Sequence, residues 1–94
     1  MGFYFNLNLV LMNETDRLQK EFLIKLGLRI RELRLKKGLS QSELANLCGK
    51  ERQSYQRVET GNINPTIWYL HYISSALDVE FKEMLDIDFP KIKL

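Results

Sequence analysis

A short stretch in the middle of the chain combines guanidinium and carboxamide side chains at helical spacing. At about 100° per residue, five polar side chains of this stretch fall within one arc. They are Arg52, Gln53, Gln56, Arg57 and Thr60. Ser54, Tyr55 and Val58 fall on the opposite side, which is apolar enough to pack against a core. Arginine and glutamine make paired hydrogen bonds to guanine and adenine edges, so this arc predicts contact with nucleotide bases.

Positive charge is concentrated around the same stretch. Residues 25–62 carry nine basic and four acidic groups, whereas residues 1–24 have a net charge of −1 and residues 63–94 of −2. A basic middle region is where contacts to phosphates would be built, although the whole chain has a net charge of only +2. On charge alone, a solvated helix face is the alternative.

The remaining residues give little support to other chemistries. The single cysteine, Cys48, rules out an intramolecular disulfide, and His71 is the one histidine available for a Cys/His zinc site. The sequence contains neither a nucleophile–histidine arrangement nor a phosphate-binding glycine loop. We therefore expect no enzymatic activity, no metal and no other cofactor, and a cytoplasmic location.

Five helices are predicted to hold the polar arc in place, in an all-α fold. They are expected to run from the Asn13 cap to Gly38, from the Ser40 cap to Gly49, from about Arg52 to Thr60, from the Thr66 cap to about Leu77, and from about Phe81 to Leu85. Glu43 completes a capping box with Ser40. Gly49 stands where a tight turn requires a positive φ, so the second and third helices form a helix-turn-helix.

Apolar residues at helical spacing predict the core. They are Leu18, Phe22, Leu26, Ile30 and Leu33 in the first helix, Leu44, Ala45, Leu47 and Cys48 in the second, and Ile67, Leu70, Ile73 and Leu77 in the fourth. Trp68 and Tyr72 lie off this stripe and form a candidate dimer interface. The alternative is that the N-terminal segment or the tail around Pro90 covers them.

The two ends of the chain differ from its helical middle. Residues 1–12 are apolar, too short to span a bilayer, and partly alternate with a strand-like period. They are either a strand paired with its copy in a second subunit or a frayed tail upstream of a start at Met12. The expected division is an apolar N-terminal segment (1–12), a helix-turn-helix DNA-binding domain (13–86) and an extended C-terminal tail (87–94).

The helical region resembles the phage repressor and Cro-like (XRE-type) group of small bacterial regulators over about residues 25–86. The shared features, in order, are IRELRLKKGLSQSELA, Gly49, RVETG, Asn64-Pro65 and ALDVEFKEML. This resemblance implies a compact five-helix repressor-like domain whose third helix enters the major groove of DNA. The chain departs from the group at Lys50, where an apolar residue is usual, and at Glu51, where a Ser or Thr cap is usual.

The resemblance also implies roles for the matching polar residues. Base contacts are implied for Arg52, Gln53 and Arg57, and a contact to a base or to the DNA backbone for Gln56. DNA-backbone contacts are implied for Gln41, Asn62 and Asn64. Gln41 would also brace the first side chain of the recognition helix. Arg34 and Glu59 match a partly buried salt bridge that ties the first helix to the third. Lys50, outside the pattern, either contacts a phosphate or offsets the charge of Glu51.

These inferences predict a transcriptional regulator, specifically a repressor, that binds double-stranded DNA as a homodimer. One recognition helix reads about four base pairs, and dimers extend the site by binding two half-sites one helical turn apart. Two alternatives stay open. The chain could be the antitoxin of a toxin–antitoxin pair, with a toxin protein as its partner, or the controller protein of a restriction–modification system.

Overall fold

The structure, a computed structural model, describes residues 12–94. These residues form five α-helices and no β-strand, which confirms the predicted all-α fold. The helices are α1 (Glu14–Lys37), α2 (Gln41–Leu47), α3 (Arg52–Glu59), α4 (Ile67–Ala76) and α5 (Phe81–Met84). In this part of the chain no helix is long and apolar enough to cross a membrane. Of the N-terminal segment 1–12, for which a strand was considered, residues 1–11 lie outside the described residues.

Side-chain caps set the helix starts where the sequence predicts them. Asn13 and Thr66 each accept a hydrogen bond from a backbone N–H in the first turn of α1 and α4, at 2.8 and 3.0 Å. Ser40 and Glu43 form a reciprocal capping box at the start of α2, with bonds of 3.0 and 2.9 Å. Glu51 precedes α3 without a side-chain cap, in keeping with its departure from the usual Ser or Thr.

All five helices contribute to one hydrophobic core. Its buried members are Leu26, Ile30, Leu33, Leu44, Ala45, Cys48, Tyr55, Val58, Leu70, Ile73, Leu77 and Met84. Three residues predicted to be in this core are instead exposed: Phe22, Leu47 and Ile67. Leu47 ends α2 and Ile67 begins α4, so both lie at the edge of the helix packing rather than inside it.

The C-terminal tail packs against α1. The rings of Phe22 and Phe89 are stacked with centroids 4.1 Å apart, and Pro90 lines a groove together with Leu18 and Phe22. The tail therefore covers part of α1, while Trp68 in α4 stays 68% exposed. The alternative that the tail around Pro90 covers Trp68 and Tyr72 is wrong.

Candidate nucleic-acid interface

The turn between α2 and α3 sets the position of the polar helix. Gly49 has a φ of 66°, in the left-handed region that the sequence predicted for it. The backbone N–H of Lys50 donates to the carbonyl oxygen of Ala45 at 2.9 Å, which closes the turn. Ala45 is completely buried, so its small side chain lets α2 pack closely. The result is a helix-turn-helix.

The two sides of α3 have opposite character. Tyr55 and Val58 are buried in the core. Of the four predicted base-contact residues, Arg52, Gln53 and Arg57 are exposed and Gln56 is half-buried. The structure therefore brings these four side chains to the outer side of α3, where a ligand as large as a DNA duplex can reach them.

A buried ion pair fastens the inner side of α3 to α1. Arg34 Nε lies 2.6 Å from Glu59 Oε2, and Arg34 Nη2 donates to Glu59 Oε1 at 3.1 Å. Both side chains are almost fully buried. Arg34 also donates to the carbonyl oxygen of Leu39 at 2.8 Å, just after α1 ends. The paired geometry between guanidinium and carboxylate fixes both distance and orientation.

Two further donors converge on Glu59. The Tyr55 hydroxyl donates to Oε2 and the Gln41 amide donates to Oε1 at 3.0 Å. Burial raises the pKa of the Glu59 carboxyl, but hydrogen bonds from Arg34, Tyr55 and Gln41 outweigh it and hold the pKa below its usual range. Gln41 thus braces the last residue of α3, whereas the resemblance implied a brace to its beginning.

A glycine in α1 permits the close crossing of α1 and α3. A Cβ atom placed on Gly27 would lie 2.5 Å from the carbonyl oxygen of Val58 and closer still to that of Glu59. Any larger residue would push the end of α3 away from α1. No role was predicted for this position from the sequence, although a glycine inside a helical pattern is the available signal for a close approach.

The loop after α3 is held by a lysine for which no role was predicted from the sequence. Lys20 Nζ donates to the carbonyl oxygen of Gly61 and to Asn62 Oδ1, both at 2.7 Å. Asn62 and Asn64, the two predicted backbone-contact residues of this loop, are exposed. Asn64 lies against the first turns of α1, where it shares a groove with Asp16.

The remaining predicted site residues lie on the surface. Lys50 Nζ stands 5.0 Å from the centre of the Tyr69 ring, within the range of a cation–π contact. This contact connects the start of the recognition helix to α4. Trp68 and Tyr72, the candidate dimer interface, are 68% and 43% exposed on α4.

Two other kinds of chemical site, a metal centre and a reactive cysteine, can be assessed in the described residues. Within residues 12–94, no three or more His, Cys, Asp or Glu side chains are grouped to hold a metal ion. Cys48 is buried in the core, and burial raises the pKa of its thiol. A thiol with a raised pKa is a poor nucleophile, so Cys48 acts as a small apolar side chain.

Comparison with known proteins places the helical region in one group. A family model described as helix-turn-helix (HTH_3) matches residues 30–84. The chain is 37% identical over 62 residues to the HTH-type transcriptional regulator SinR of Bacillus subtilis (strain 168). That alignment covers 65% of this chain and 56% of SinR, so the chain spans just over half the length of this relative.

Solved structures agree with the sequence matches. The restriction-modification controller protein C.AhdI from Aeromonas hydrophila shares 44% identity at a TM-score of 0.64, over 66% of this chain and 94% of that chain. A crystal structure of SinR in complex with DNA shares 37% identity at a TM-score of 0.60, over 65% of this chain and 98% of that chain.

Proposed function

This chain belongs to the helix-turn-helix family HTH_3, and from that premise we propose that it binds double-stranded DNA and regulates transcription. The two-sided α3 carries the proposal, because its inner side is locked in the core and its outer side presents hydrogen-bonding side chains. An α-helix fits the major groove, where every base pair presents a distinct pattern of donors and acceptors. SinR, an HTH-type transcriptional regulator to which this chain is similar, has been crystallised with DNA.

In this proposal, side chains on the outer side of α3 contact the bases. Arg52 and Gln53 lie in its first turn, where helices of this class approach base edges, and Arg57 lies more than one turn later. Arginine pairs with guanine and glutamine with adenine through two hydrogen bonds each. Gln56, half-buried between them, contacts either a base or the adjoining backbone.

Backbone contacts frame this reading helix on both sides. Gln41 and Lys50 stand before α3 in the chain, and Asn62 and Asn64 follow it. We propose that these four residues contact the phosphates on either side of the groove that α3 enters. Contacts to phosphate set the position of a protein on the duplex but do not read sequence. They also release bound counterions, and binding should therefore weaken steeply as salt increases.

We propose that the active form is a homodimer, formed through Trp68 and Tyr72. Exposed aromatic side chains on one helix are typical of association surfaces. A second recognition helix doubles the number of base pairs read. A dimer seated on a promoter blocks access to it by occupancy alone, so we also propose that regulation is repression.

Selection from a random duplex pool tests this function directly. Enriched DNA should contain an inverted repeat with half-sites about 10–10.5 base pairs apart, centre to centre. A chain with Arg52, Gln53 and Arg57 replaced by alanine should keep its helical content and lose the enrichment. Equal binding of the wild-type chain to every sequence in the pool would contradict the proposal.

A controller protein of a restriction–modification system is the second candidate role. The observation that favours it is the 44% identity to C.AhdI across nearly the whole of that chain. The selected operator should then occur upstream of an adjacent restriction enzyme gene. An antitoxin role would instead give co-purification with a small toxin protein through the exposed aromatic side chains of α4.

A further inference from the structure

We propose that Lys20 and Asn62 form a phosphate clamp (these two side chains acting together) beside the recognition helix, an inference that rests on the DNA-binding function proposed above. Lys20 lies on α1, before the family match begins at residue 30. Its ammonium group bridges to the loop after α3 through bonds of 2.7 Å to the Gly61 carbonyl and to Asn62 Oδ1. The ammonium group of Lys20 therefore stands at the exit of the recognition helix.

The contact with Lys20 orients the Asn62 carboxamide. Because Oδ1 accepts from the ammonium group, the two N–H donors of Nδ2 face away from Lys20, on a residue that is exposed. An adjacent cation also polarises the amide and makes those N–H groups stronger donors. Lys20 has three donors and uses two of them in the bonds to Gly61 and Asn62, which leaves one for a bound anion.

The clamp is rigidly connected to a base-reading residue. The backbone N–H of Asn62 donates to the carbonyl oxygen of Arg57 at 2.8 Å, so the position of Asn62 follows the end of α3. With Arg57 in the major groove, a loop attached directly to its helix lies over the flanking sugar–phosphate backbone. The acceptor that fits two amide donors beside a cation at this place is a phosphate oxygen.

A phosphate bound at this place would be close enough to Lys20 for electrostatic attraction. A phosphate oxygen bonded to Nδ2 would lie about 5–7 Å from the ammonium nitrogen, which is within the screening length of about 8–10 Å at physiological salt. Asp16 and Glu21 on the same helix are exposed and negatively charged, so they offset part of the local positive potential. We therefore expect the clamp to neutralise one phosphate rather than several.

The salt dependence of DNA binding separates a phosphate contact from a purely structural bond. Affinity for the selected operator would be measured from 0.05 to 0.3 M salt for the wild type, Lys20→Gln and Lys20→Arg. Lys82→Gln is the matched control, because the Lys82 side chain is 88% exposed on α5. Lys20→Gln should reduce the slope of log K against log salt by about 0.9 and weaken low-salt binding about three- to tenfold. Lys20→Arg and Lys82→Gln should keep the wild-type slope.

A second variant tests the amide half of the clamp. Asn62→Asp keeps a partner for Lys20 but replaces the amide donors with a carboxylate that repels phosphate, so affinity should fall at least tenfold with an unchanged melting temperature. The clamp proposal would be wrong if Lys20→Gln bound DNA with the wild-type salt slope, or if Asn62→Asp bound with wild-type affinity. Either result would leave the proposed DNA recognition intact. A wild-type chain that binds no duplex at all would overturn the proposed function as well.

Discussion

The guanidinium group of Arg34 in α1 holds the carboxylate of Glu59, the last residue of α3, through hydrogen bonds of 2.6 and 3.1 Å. The two residues are 25 positions apart in sequence, and both side chains are buried. A buried pair of this kind adds little stability compared with a well-packed apolar pair, but it fixes orientation. Here it holds the end of the recognition helix α3 against α1.

Removing the cation of this pair should be costly. In Arg34→Met the Glu59 carboxylate stays buried without a counter-charge, and unpaired buried charges of this kind cost about 3–5 kcal/mol. That is a large part of the roughly 5–14 kcal/mol expected for a chain of this length. Urea unfolding would measure it, with Arg31→Met, at an exposed position of α1, as the control that changes stability by less than about 0.5 kcal/mol. A loss below about 1 kcal/mol for Arg34→Met would contradict the prediction.

Stability should fall in acid because of Glu59. Burial raises the pKa of Glu59, but the hydrogen bonds from Arg34, Tyr55 and Gln41 lower it below the ordinary value of 4.5. The folded chain therefore favours the ionised form, and the stabilisation is complete above about pH 4.5 and lost as pH falls through the folded pKa. Glu59→Gln should be less stable at pH 7 and show a flatter acid limb of unfolding free energy against pH.

The control for this pH dependence is Glu80→Gln, since Glu80 is an exposed carboxylate next to α5. Its curve should follow that of the wild type between pH 7 and pH 3. If Glu59→Gln lost stability in acid as steeply as the wild type, a different group would be responsible.

Alanine at position 27 should destabilise the protein although alanine favours helices. In an open helix, Gly→Ala gains about 1 kcal/mol. Here the added Cβ meets the carbonyl oxygens of Val58 and Glu59, and overpacking of this kind costs about 1–3 kcal/mol or more. The end of α3 must move, so Gly27→Ala should also weaken operator binding. Thermal melting and a binding titration would show both effects.

The neighbouring Leu28→Ala is the control for this substitution. Leu28 is 54% exposed on α1, so a small side chain there should leave both melting and operator binding close to wild type. A Gly27→Ala variant more stable than the wild type would mean that α1 and α3 tolerate a wider separation.

Features set by neighbouring residues could be predicted from the sequence. The caps at Asn13, Ser40 and Thr66 and the turn at Gly49 depend on side chains and φ values within a few positions, so the five helices were placed to within a residue or two. The polar arc of α3 follows from helical periodicity alone. The ion pair of Arg34 and Glu59 is non-local, and it was available only through the resemblance to a known family.

Other contacts between residues far apart in the chain could not be predicted, because no sequence pattern indicates them. Lys20 and Asn62 lie 42 residues apart, and nothing near Lys20 in the sequence points to the loop after α3. The stacking of Phe22 on Phe89 depends on where the tail returns after α5. The bond from the Gln41 amide to Glu59 joins residues 18 positions apart, and no pattern within either helix indicates it.

Arg57 should determine the preference at one base pair. Its side chain is exposed near the end of α3, where a bidentate contact to guanine is possible. Arg57→Ala should weaken operator binding by about 1–3 kcal/mol, roughly 5- to 150-fold, and relax the preference at a single position. Repeating the selection from a random duplex pool with this variant would show which position becomes degenerate.

The matched control for Arg57 removes the same charge from another helix. Arg31 is exposed on α1, so Arg31→Ala should leave the selected sequence unchanged, whatever its effect on overall affinity. If Arg57→Ala selected the wild-type operator with the same preference at every position, Arg57 would not be a base-contact residue.

A charge on the exposed aromatic surface of α4 should separate the subunits. Trp68 is 68% exposed and Tyr72, one turn later, 43% exposed. If these rings meet in a homodimer, Trp68→Glu places a carboxylate in an apolar interface without a partner, which is strongly unfavourable. Sedimentation equilibrium should show a dimer for the wild type and a monomer for Trp68→Glu, with operator affinity reduced at least tenfold and an unchanged helical content. The control is Leu35→Glu on α1, at a leucine that is 54% exposed, and this variant should remain dimeric. If Leu35→Glu were monomeric and Trp68→Glu dimeric, the interface would lie on α1 rather than on α4.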